Sequence, residues 1–176
     1  RPARDISLAC GKKVALSISG EEEEIDKNTI DLLFEPLLHL VRNAIDHGIE
    51  GPDERMLLSK NEEALLELKS YTNQNRLYLE VCDDGRGIDT QRVFSKAVER
   101  GLVTQDREMK SDEILEMIFM PGFSTKEEAD ELAGRGMGMN IVRDALKRVS
   151  GEIKIETKKE KGTRFIITLP TTLAII

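Results

Sequence analysis

The sequence predicts an α+β protein in which helices lie on one face of a mixed, mainly antiparallel sheet. Three observations support this prediction: two pairs of strand-like segments are each joined by a short polar turn, segments with helical periodicity separate the pairs, and no internal repeat is present. Strands joined by short turns form antiparallel hairpins, and helices cover the apolar face of such a sheet. The predicted order of elements is β, α, β, β, α, α, α, β, β.

The first strand is predicted over residues 12–19, where apolar and less apolar residues alternate. This period of two predicts one buried face, with Leu16 and Ile18 on it. A helix follows over 27–46, because apolar residues recur there at helical spacing. Pro36 should kink or split this helix, since proline removes a backbone donor.

The remaining elements are predicted from the same two periods and from the glycine, proline and polar residues that interrupt them. Strands are predicted over 64–70, 76–82, 152–157 and 163–169, and helices over 91–100, 112–119 and 139–149. The polar segment 124–133 has no clear period and is predicted to be a mobile surface segment.

Length and charge restrict the classes of function. The chain has 176 residues and a mass of 19.8 kDa, which suits a single domain over 1–176. A net charge of -7 argues against binding to nucleic acid or an anionic membrane, because both need a basic face. No apolar run could insert into a membrane, and the start without Met indicates a fragment of a longer protein. Cys10 and Cys82 are expected to stay reduced, which favours the cytoplasm.

A polar stripe is predicted on the first long helix. His39, Asn43 and His47 are spaced four residues apart, and Asp46 is three residues from Asn43. An Asn side-chain oxygen suits Mg²⁺, and a His one turn away could act as a base or orient water. The alternative interpretation is an ordinary solvated face of an amphipathic helix.

Asp83 ends an apolar strand and is followed by Asp84, Gly85, Arg86 and Gly87. A carboxylate at this position can accept a hydrogen bond from an exocyclic amine such as adenine N6, and the glycines allow backbone to approach a flat ring. The alternative is a simple strand-to-loop turn. The spacing does not fit a calcium loop of the EF-hand type.

Three alternating glycines, Gly134, Gly136 and Gly138, come directly before a predicted helix. Glycine-rich backbone at a helix N-terminus offers amide donors and a positive dipole end to phosphate, and Arg135 adds a cation. The segment is neither a Walker P-loop nor a Rossmann fingerprint, because the spacing and the flanking residues differ.

Two neighbouring features are less specific. Met137 and Met139 are interpreted as core or pocket-lining residues. Gly162 and Thr163 form an ordinary hairpin turn when considered by themselves.

Taken in order, these segments resemble the N, G1, F, G2 and G3 boxes of the ATP-binding catalytic domain of histidine kinases. This domain belongs to the superfamily that includes gyrase B, Hsp90 and MutL. Within it, the chain resembles the CheA family of chemotaxis histidine kinases over nearly its whole length. The segments that carry this resemblance are 39–50, 119–125, 134–139 and 169–176.

The resemblance implies a Bergerat-type ATP-binding fold, a two-layer α/β sandwich, and the cofactors ATP and Mg²⁺. It implies that His39 and Asn43 are catalytic, that Asn43 binds the metal, and that 120–138 forms the ATP lid. The implied nucleotide-binding residues are Arg42, Asn43, Asp46, His47, Asp83, Gly85, Gly87, Ile88, Phe123, Ser124, Gly134, Arg135, Gly136, Met137, Gly138, Met139 and Thr163.

The implied activity is transfer of the γ-phosphoryl group of ATP to a histidine on a separate phosphoacceptor domain of the same protein, in trans within a dimer. The two histidines of this chain both lie in the predicted nucleotide site. Partners implied through other domains are response regulators such as CheY, a coupling protein and chemoreceptors. Two alternatives stay open: an ATP hydrolase that clamps a dimer, and an ATP-binding scaffold that has lost catalysis.

Overall fold

The computed structural model describes residues 1–20, 24–121, 123 and 138–171. These residues form two compact units. The first contains the described residues of Arg1–Ile88 and Ala145–Ile176, and the second contains those of Asp89–Asp144.

The first unit contains a five-stranded sheet with the strand order β1-β2-β3-β5-β4. β1 pairs in parallel with β2, and the other three pairings are antiparallel. The mixed, mainly antiparallel sheet of the predicted α+β fold is therefore confirmed. The strands are β1 Val14–Ser19, β2 Ala64–Asn73, β3 Arg76–Asp83, β4 Glu152–Lys158 and β5 Gly162–Pro170.

The two faces of the sheet differ in chemistry. On β3, Leu77, Leu79 and Val81 point to one face and are buried, while Tyr78 and Glu80 point to the other face. The buried face belongs to the helical layer, because the helix α2, Lys27–Asn43, and the turn that follows it pack on β3. This alternation is the period of two that predicted the strands.

The β2–β3 hairpin closes through a two-residue turn. Gln74 and Asn75 have positive φ angles of 48° and 58°, which is the geometry of a type I′ turn. Asn tolerates this conformation better than most residues. The predicted hairpin is confirmed, and each strand extends slightly beyond its predicted end.

The first unit has three helices, a π-helical turn at Ala44–Gly48 and the end of a fourth helix, α6. Two of the helices, α1 and α3, were not predicted from the sequence. α3 begins with a proline in its first turn, where the missing N–H has no helical partner to lose. The three helices are α1 Pro2–Ala9, α2 Lys27–Asn43 and α3 Pro52–Leu57.

The predicted burial of β1 was wrong. Leu16 is 43% exposed and Ile18 is 54% exposed, although both lie on the same face as the buried β2 residue Leu66. β1 is an edge strand that pairs only with β2. An edge strand has neighbours on one side only, so alternation in sequence does not ensure burial there.

Pro36 does not split α2, which is continuous from Lys27 to Asn43. Pro36 is buried within the helix. The helix begins at an Asp26 cap, whose carboxylate accepts from Thr29 N–H at 3.1 Å. The change of helical geometry occurs instead at Ala44, where the π turn begins.

The second unit is helical in its described part. Its helices are α4 Thr90–Glu99, α5 Ser111–Glu116 and the 3₁₀ turn Met117–Phe119, together with the first residues of α6 Met139–Arg148. Asp89 caps α4, since its carboxylate accepts from Gln91 N–H at 3.0 Å. In the described part of the chain, no helix has both the length and the apolar character needed to cross a membrane.

Candidate functional site

The predicted catalytic residues lie at the end of α2, where the helix widens. Asn43 is the last residue of α2, and Ile49 N–H donates to the carbonyl of Ala44 at 2.7 Å, five residues earlier. His39 and Asn43 are half-buried, and His47 is exposed. π turns occur frequently at functional sites. The regular predicted helix therefore changes geometry among the residues proposed to hold the nucleotide.

His39 lies in an environment that favours its neutral form. Burial lowers the pKa of His39, and the charges of Arg42 and His47 lower it further. Because an unperturbed histidine has a pKa of about 6.5, this imidazole is neutral at pH 7. A neutral imidazole can accept a proton or a hydrogen bond. Arg42 is itself exposed at the end of α2.

A lysine not predicted to belong to the site supports the π turn. Lys12 Nζ donates to the carbonyl oxygens of Ile45 at 2.5 Å and Asp46 at 2.9 Å. Carbonyls at a helix end lack helical partners, so a cation there is stabilising. Cys10 Sγ–H donates to Asp46 Oδ1 at 2.9 Å, and this bond raises the pKa of the Cys10 thiol. The sequence offered no signal that these distant residues meet.

Asp83 is held by backbone donors at the end of β3. Its Oδ1 accepts from Gly85 N–H at 2.9 Å, and Thr163 N–H also donates to the carboxylate. Thr163 is the cross-strand partner of Asp83 in the sheet, so the structure brings these two predicted site residues together. Burial raises the pKa of Asp83 to about 6, although both backbone hydrogen bonds oppose the shift. A buried carboxylate with a perturbed pKa is typical of functional sites.

Gly85 is required by a close approach between two backbone segments. A Cβ on Gly85 would lie 2.1 Å from the carbonyl oxygen of Gly48. The same carbonyl accepts from Arg86 N–H at 2.8 Å. Gly48 ends the π turn, so the turn after Asp83 is tied directly to the end of the predicted catalytic helix. From the sequence, Gly85 was predicted to let the backbone approach a flat ligand. In the structure, it also lets two segments of the protein backbone approach each other.

The β4–β5 hairpin flanks the other side of the same turn. Ile88 N–H donates to Thr157 Oγ1 at 2.8 Å, and Thr157 Oγ1 lies 3.1 Å from Thr163 Oγ1. A Cβ on Gly87 would lie 2.4 Å from the carbonyl oxygen of Lys158. Thr157 was missed in the sequence analysis, although the predicted hairpin already places it opposite Thr163.

Only part of the predicted lid lies in the described residues. In the second unit Phe123 is buried, with the Arg100 guanidinium carbon 5.4 Å from its ring centroid. Met139 is buried at the start of α6, and the Gly138 carbonyl accepts from Ile141 N–H at 3.1 Å. The other nucleotide-binding residues predicted within the lid 120–138 lie outside the described residues, namely Ser124, Gly134, Arg135, Gly136 and Met137.

The donor set fits a magnesium ion shared with phosphate. Among the described residues, no group of three or more His, Cys, Asp and Glu side chains is placed to hold a metal. Mg²⁺ usually keeps several waters and takes one or two protein oxygens plus substrate phosphates. The side chain of Asn43 is half-buried and carries an amide oxygen of the kind that Mg²⁺ binds.

The family model described as "Histidine kinase-, DNA gyrase B-, and HSP90-like ATPase" matches residues 28–173. The chain belongs to this ATPase family. The match includes the end of α2, the turn after Asp83 and the β4–β5 hairpin. The predicted membership of this superfamily is therefore confirmed.

Similarity to curated members of the ATPase family extends over the full chain. The chemotaxis protein CheA of Treponema pallidum is 43% identical over 176 residues, which cover 100% of this chain and 22% of that protein. The CheA of Bacillus subtilis is 39% identical over 178 residues, covering 100% of this chain and 26% of that protein. The chain thus spans about a quarter of the length of these relatives. The resemblance to CheA proteins is confirmed.

Solved structures of the ATPase family share the fold. The histidine kinase domain of the Erythrobacter litoralis EL346 blue-light activated kinase aligns with a TM-score of 0.56 at 17% identity, covering 98% of this chain and 64% of that chain. The mycobacterial sensor histidine kinase MprB aligns with a TM-score of 0.54 at 15% identity, covering 97% of this chain and 89% of that chain. The predicted fold class is confirmed by these neighbours.

Proposed function

We propose that this chain binds Mg-ATP and transfers its γ-phosphoryl group to a histidine on a separate phosphoacceptor domain, as the kinase domain of a chemotaxis histidine kinase. The single observation that carries the proposal is the half-buried carboxylate of Asp83, held by backbone N–H groups at a strand end in a chain of this ATPase family. Similarity to CheA proteins over the full chain supports the kinase over other members of the family.

Asp83 is proposed to recognise adenine. Gly85 N–H and Thr163 N–H occupy part of its acceptor capacity and fix its orientation. An ionised carboxylate has about four acceptor sites, so others remain for the N6 amine of adenine. Thr163 also lies beside this carboxylate through the strand pairing, and its hydroxyl is proposed to complete the adenine site directly or through a water.

The end of α2 is proposed to serve the phosphate groups. Asn43 would hold Mg²⁺ together with phosphate oxygens, and the ion would neutralise charge on the transferred group. Arg42, Asp46 and His47 border the same helix end and are proposed to contact the phosphates or their hydration shell. The lid glycines and Arg135 are proposed to wrap the phosphates, as the sequence predicts.

His39 is proposed to act as the base or orienting group. The acceptor imidazole nitrogen attacks the γ-phosphorus, a new N–P bond forms, and the bond to the β–γ bridging oxygen breaks with its electron pair on ADP. The acceptor imidazole loses a proton, and His39, whose lowered pKa favours its neutral form, is proposed to accept it. Phosphoryl transfer depends mainly on positioning and charge stabilisation, so a modest role for this base is sufficient.

The partners of the whole protein follow from the CheA similarity. The acceptor domain is proposed to belong to the same protein and to be phosphorylated in trans within a dimer. Response regulators such as CheY, a coupling protein and chemoreceptors are proposed to bind through other domains, in the cytoplasm. The net charge of -7 supports the proposal that the chain neither binds nucleic acid nor inserts into a membrane.

The proposal is tested by incubating the chain with Mg-ATP and the phosphoacceptor domain of a CheA protein. We expect acid-labile, alkali-stable phosphohistidine on the acceptor domain. Asp83→Asn replaces an acceptor oxygen by a donor, so it should raise the KM for ATP by roughly tenfold or more, which corresponds to about 1.5 kcal/mol. The matched control is Asp31→Asn, because Asp31 is exposed on α2 and should leave the KM unchanged.

Each other outcome overturns the proposal in a specific way. Free phosphate without phosphohistidine would identify an ATP hydrolase, and ATP binding without either product would identify a scaffold module. An unchanged KM for ATP in Asp83→Asn would show that Asp83 is not the residue that recognises adenine.

A further inference from the structure

A cluster of charged side chains, two of them buried, lies next to the turn that follows Asp83. The Glu50 and Arg55 side chains are almost completely buried, and Arg55 Nη1 lies 3.5 Å from Glu50 Oε1. Arg55 Nη2 donates to Asp84 Oδ2 at 2.9 Å. Lys60 Nζ lies 2.8 Å from Glu50 Oε2. Two cations therefore balance two carboxylates, which is the condition for burying such charges.

Lys60 connects this cluster to the backbone of the turn. Besides Glu50, its ammonium donates to the carbonyl oxygens of Asp84 at 3.1 Å and Gly85 at 2.8 Å. An ammonium has three N–H donors, so these three acceptors use all of them. Because the Glu50 side chain is buried, its carboxylate anchors the ammonium, and the ammonium in turn holds the two carbonyls.

The carbonyls held by Lys60 belong to residues directly after Asp83. Gly85 accepts from Lys60 through its carbonyl and donates to Asp83 Oδ1 at 2.9 Å through its N–H. One residue thus links the lysine to the carboxylate. Displacing Gly85 would displace the donor that orients Asp83.

The cluster is poorly explained by stability alone. Replacing a buried ion pair by packed apolar residues is often neutral or stabilising, so such pairs are weak evidence for a stabilising role. The three acceptors of Lys60 instead fix the position of its ammonium group, and this group positions the backbone of the turn. Arg55 adds to this by donating to the Asn61 carbonyl at 2.6 Å, which holds the segment that carries Lys60.

We propose that Lys60, anchored by the buried carboxylate of Glu50, is a positioning residue that sets the place of Asp83 against the adenine ring through Gly85. This inference rests on the proposed nucleotide site. Lys60 touches neither nucleotide nor reacting atoms in this scheme, and it acts through the backbone. Its effect should therefore fall on recognition of the base and spare the phosphate contacts.

The test compares ATP and GTP binding to Lys60→Met and to the wild type by calorimetry in the presence of Mg²⁺. Methionine keeps an unbranched side chain that is one atom shorter than lysine, and it removes every donor. Guanine presents a carbonyl where adenine presents its amine, so a correctly placed Asp83 discriminates against it. We expect the ratio of ATP to GTP affinity to fall about tenfold, or about 1.4 kcal/mol, chiefly through weaker ATP binding.

Lys13→Met is the matched control, because Lys13 forms an exposed ion pair with Glu62 at 2.5 Å. It should leave the ratio unchanged. A structural loss alone would reduce the folded fraction and weaken both nucleotides equally, so an unchanged ratio in folded Lys60→Met overturns the inference. If that variant does not fold, Glu50→Gln combined with Lys60→Met removes both partners and should lower the ratio to the same extent.

Amide exchange in the ligand-free chain separates this inference from the proposed function. Lys60→Met should increase the exchange of Gly85 N–H and Arg86 N–H relative to Lys13→Met. Unchanged exchange at both amides would overturn the positioning role whether or not ATP binds. A wild type that binds no ATP, with faster exchange in Lys60→Met, would refute the proposed function and leave the role of Lys60 in the turn intact.

Discussion

The turn after Asp83 is held on both sides, and the two sides use different chemistry. On one side Glu50, Arg55 and Lys60 bring buried charges to its backbone. On the other side, the β4–β5 hairpin offers the neutral hydroxyl of Thr157, which accepts from Ile88 N–H at 2.8 Å. The charged side involves several mutually dependent groups, and the neutral side involves single hydrogen bonds.

A substitution on the charged side should therefore affect more of the turn than a substitution on the neutral side. Removing one member of a buried charged cluster leaves its partner without compensation in the interior, so the cost is large and shared. Removing one hydroxyl leaves a single N–H to be satisfied, so the cost is small and local. Asp83 lies between the two sides, so both sides influence the orientation and the pKa of its carboxylate.

The largest effect should come from breaking the charged side. Arg55→Met leaves Glu50 with Lys60 alone and removes the cation that pairs with Asp84. Because the buried Glu50 then keeps one of its two cations, we expect the free energy of unfolding to fall by about 3–5 kcal/mol. Urea unfolding followed by circular dichroism measures this change.

The exposed pair between Arg86 and Glu54, at 3.2 Å, provides the contrast on the same turn. Glu54→Gln should change the free energy of unfolding by less than about 1 kcal/mol. A cost of similar size for Arg55→Met and Glu54→Gln would mean that the buried cluster is no more consequential than a surface pair.

A smaller effect should follow from the titration of Asp83. Burial raises its pKa to about 6, and the charges of Asp84 and Glu50 add to the increase. Since the raised value lies above the ordinary aspartate range, the carboxylate loses its charge as pH falls through 6 rather than near 4. Adenine N6 needs the ionised acceptor, so adenosine should bind about tenfold more weakly at pH 5 than at pH 7.5.

Calorimetric titration with adenosine suits this prediction, because adenosine carries no phosphate that titrates in the same range. Asp83→Asn cannot titrate at this position and should bind adenosine weakly at both pH values. Equal adenosine affinity of the wild type at pH 5 and pH 7.5 would show that the ionised form of Asp83 is not what the base contacts.

The two sides also differ in how far the sequence predicted them. The hairpins were predicted because alternation and turn residues are local signals, and the pairing of Thr157 with Thr163 follows from the hairpin alone. The buried cluster was not predicted, since Glu50, Arg55 and Lys60 are residue types that usually lie on the surface. They are buried because separate segments of the chain pack together, and sequence periodicity does not predict such contacts.

The same limit explains the other differences in the fold. Leu16 and Ile18 alternate like core residues, yet the edge position of β1 leaves them exposed. Lys12 reaches the π turn across a gap of more than thirty residues, and nothing local indicates that contact. The motifs of the candidate site were found because each is a short segment, whereas the groups that support it come from separate segments.

Of the two sides of the turn, the neutral side should give the smaller effect, through Thr157→Val. Valine keeps the shape of threonine and removes the oxygen that accepts from Ile88 N–H and contacts Thr163 Oγ1. We expect the free energy of unfolding to fall by about 1 kcal/mol, the usual cost of leaving one amide without a partner. The ratio of ATP to GTP affinity should stay within twofold of the wild type, because Gly85 N–H still orients Asp83. If the ratio fell as far in Thr157→Val as in Lys60→Met, the position of Asp83 would depend on both sides of the turn and not mainly on the charged side.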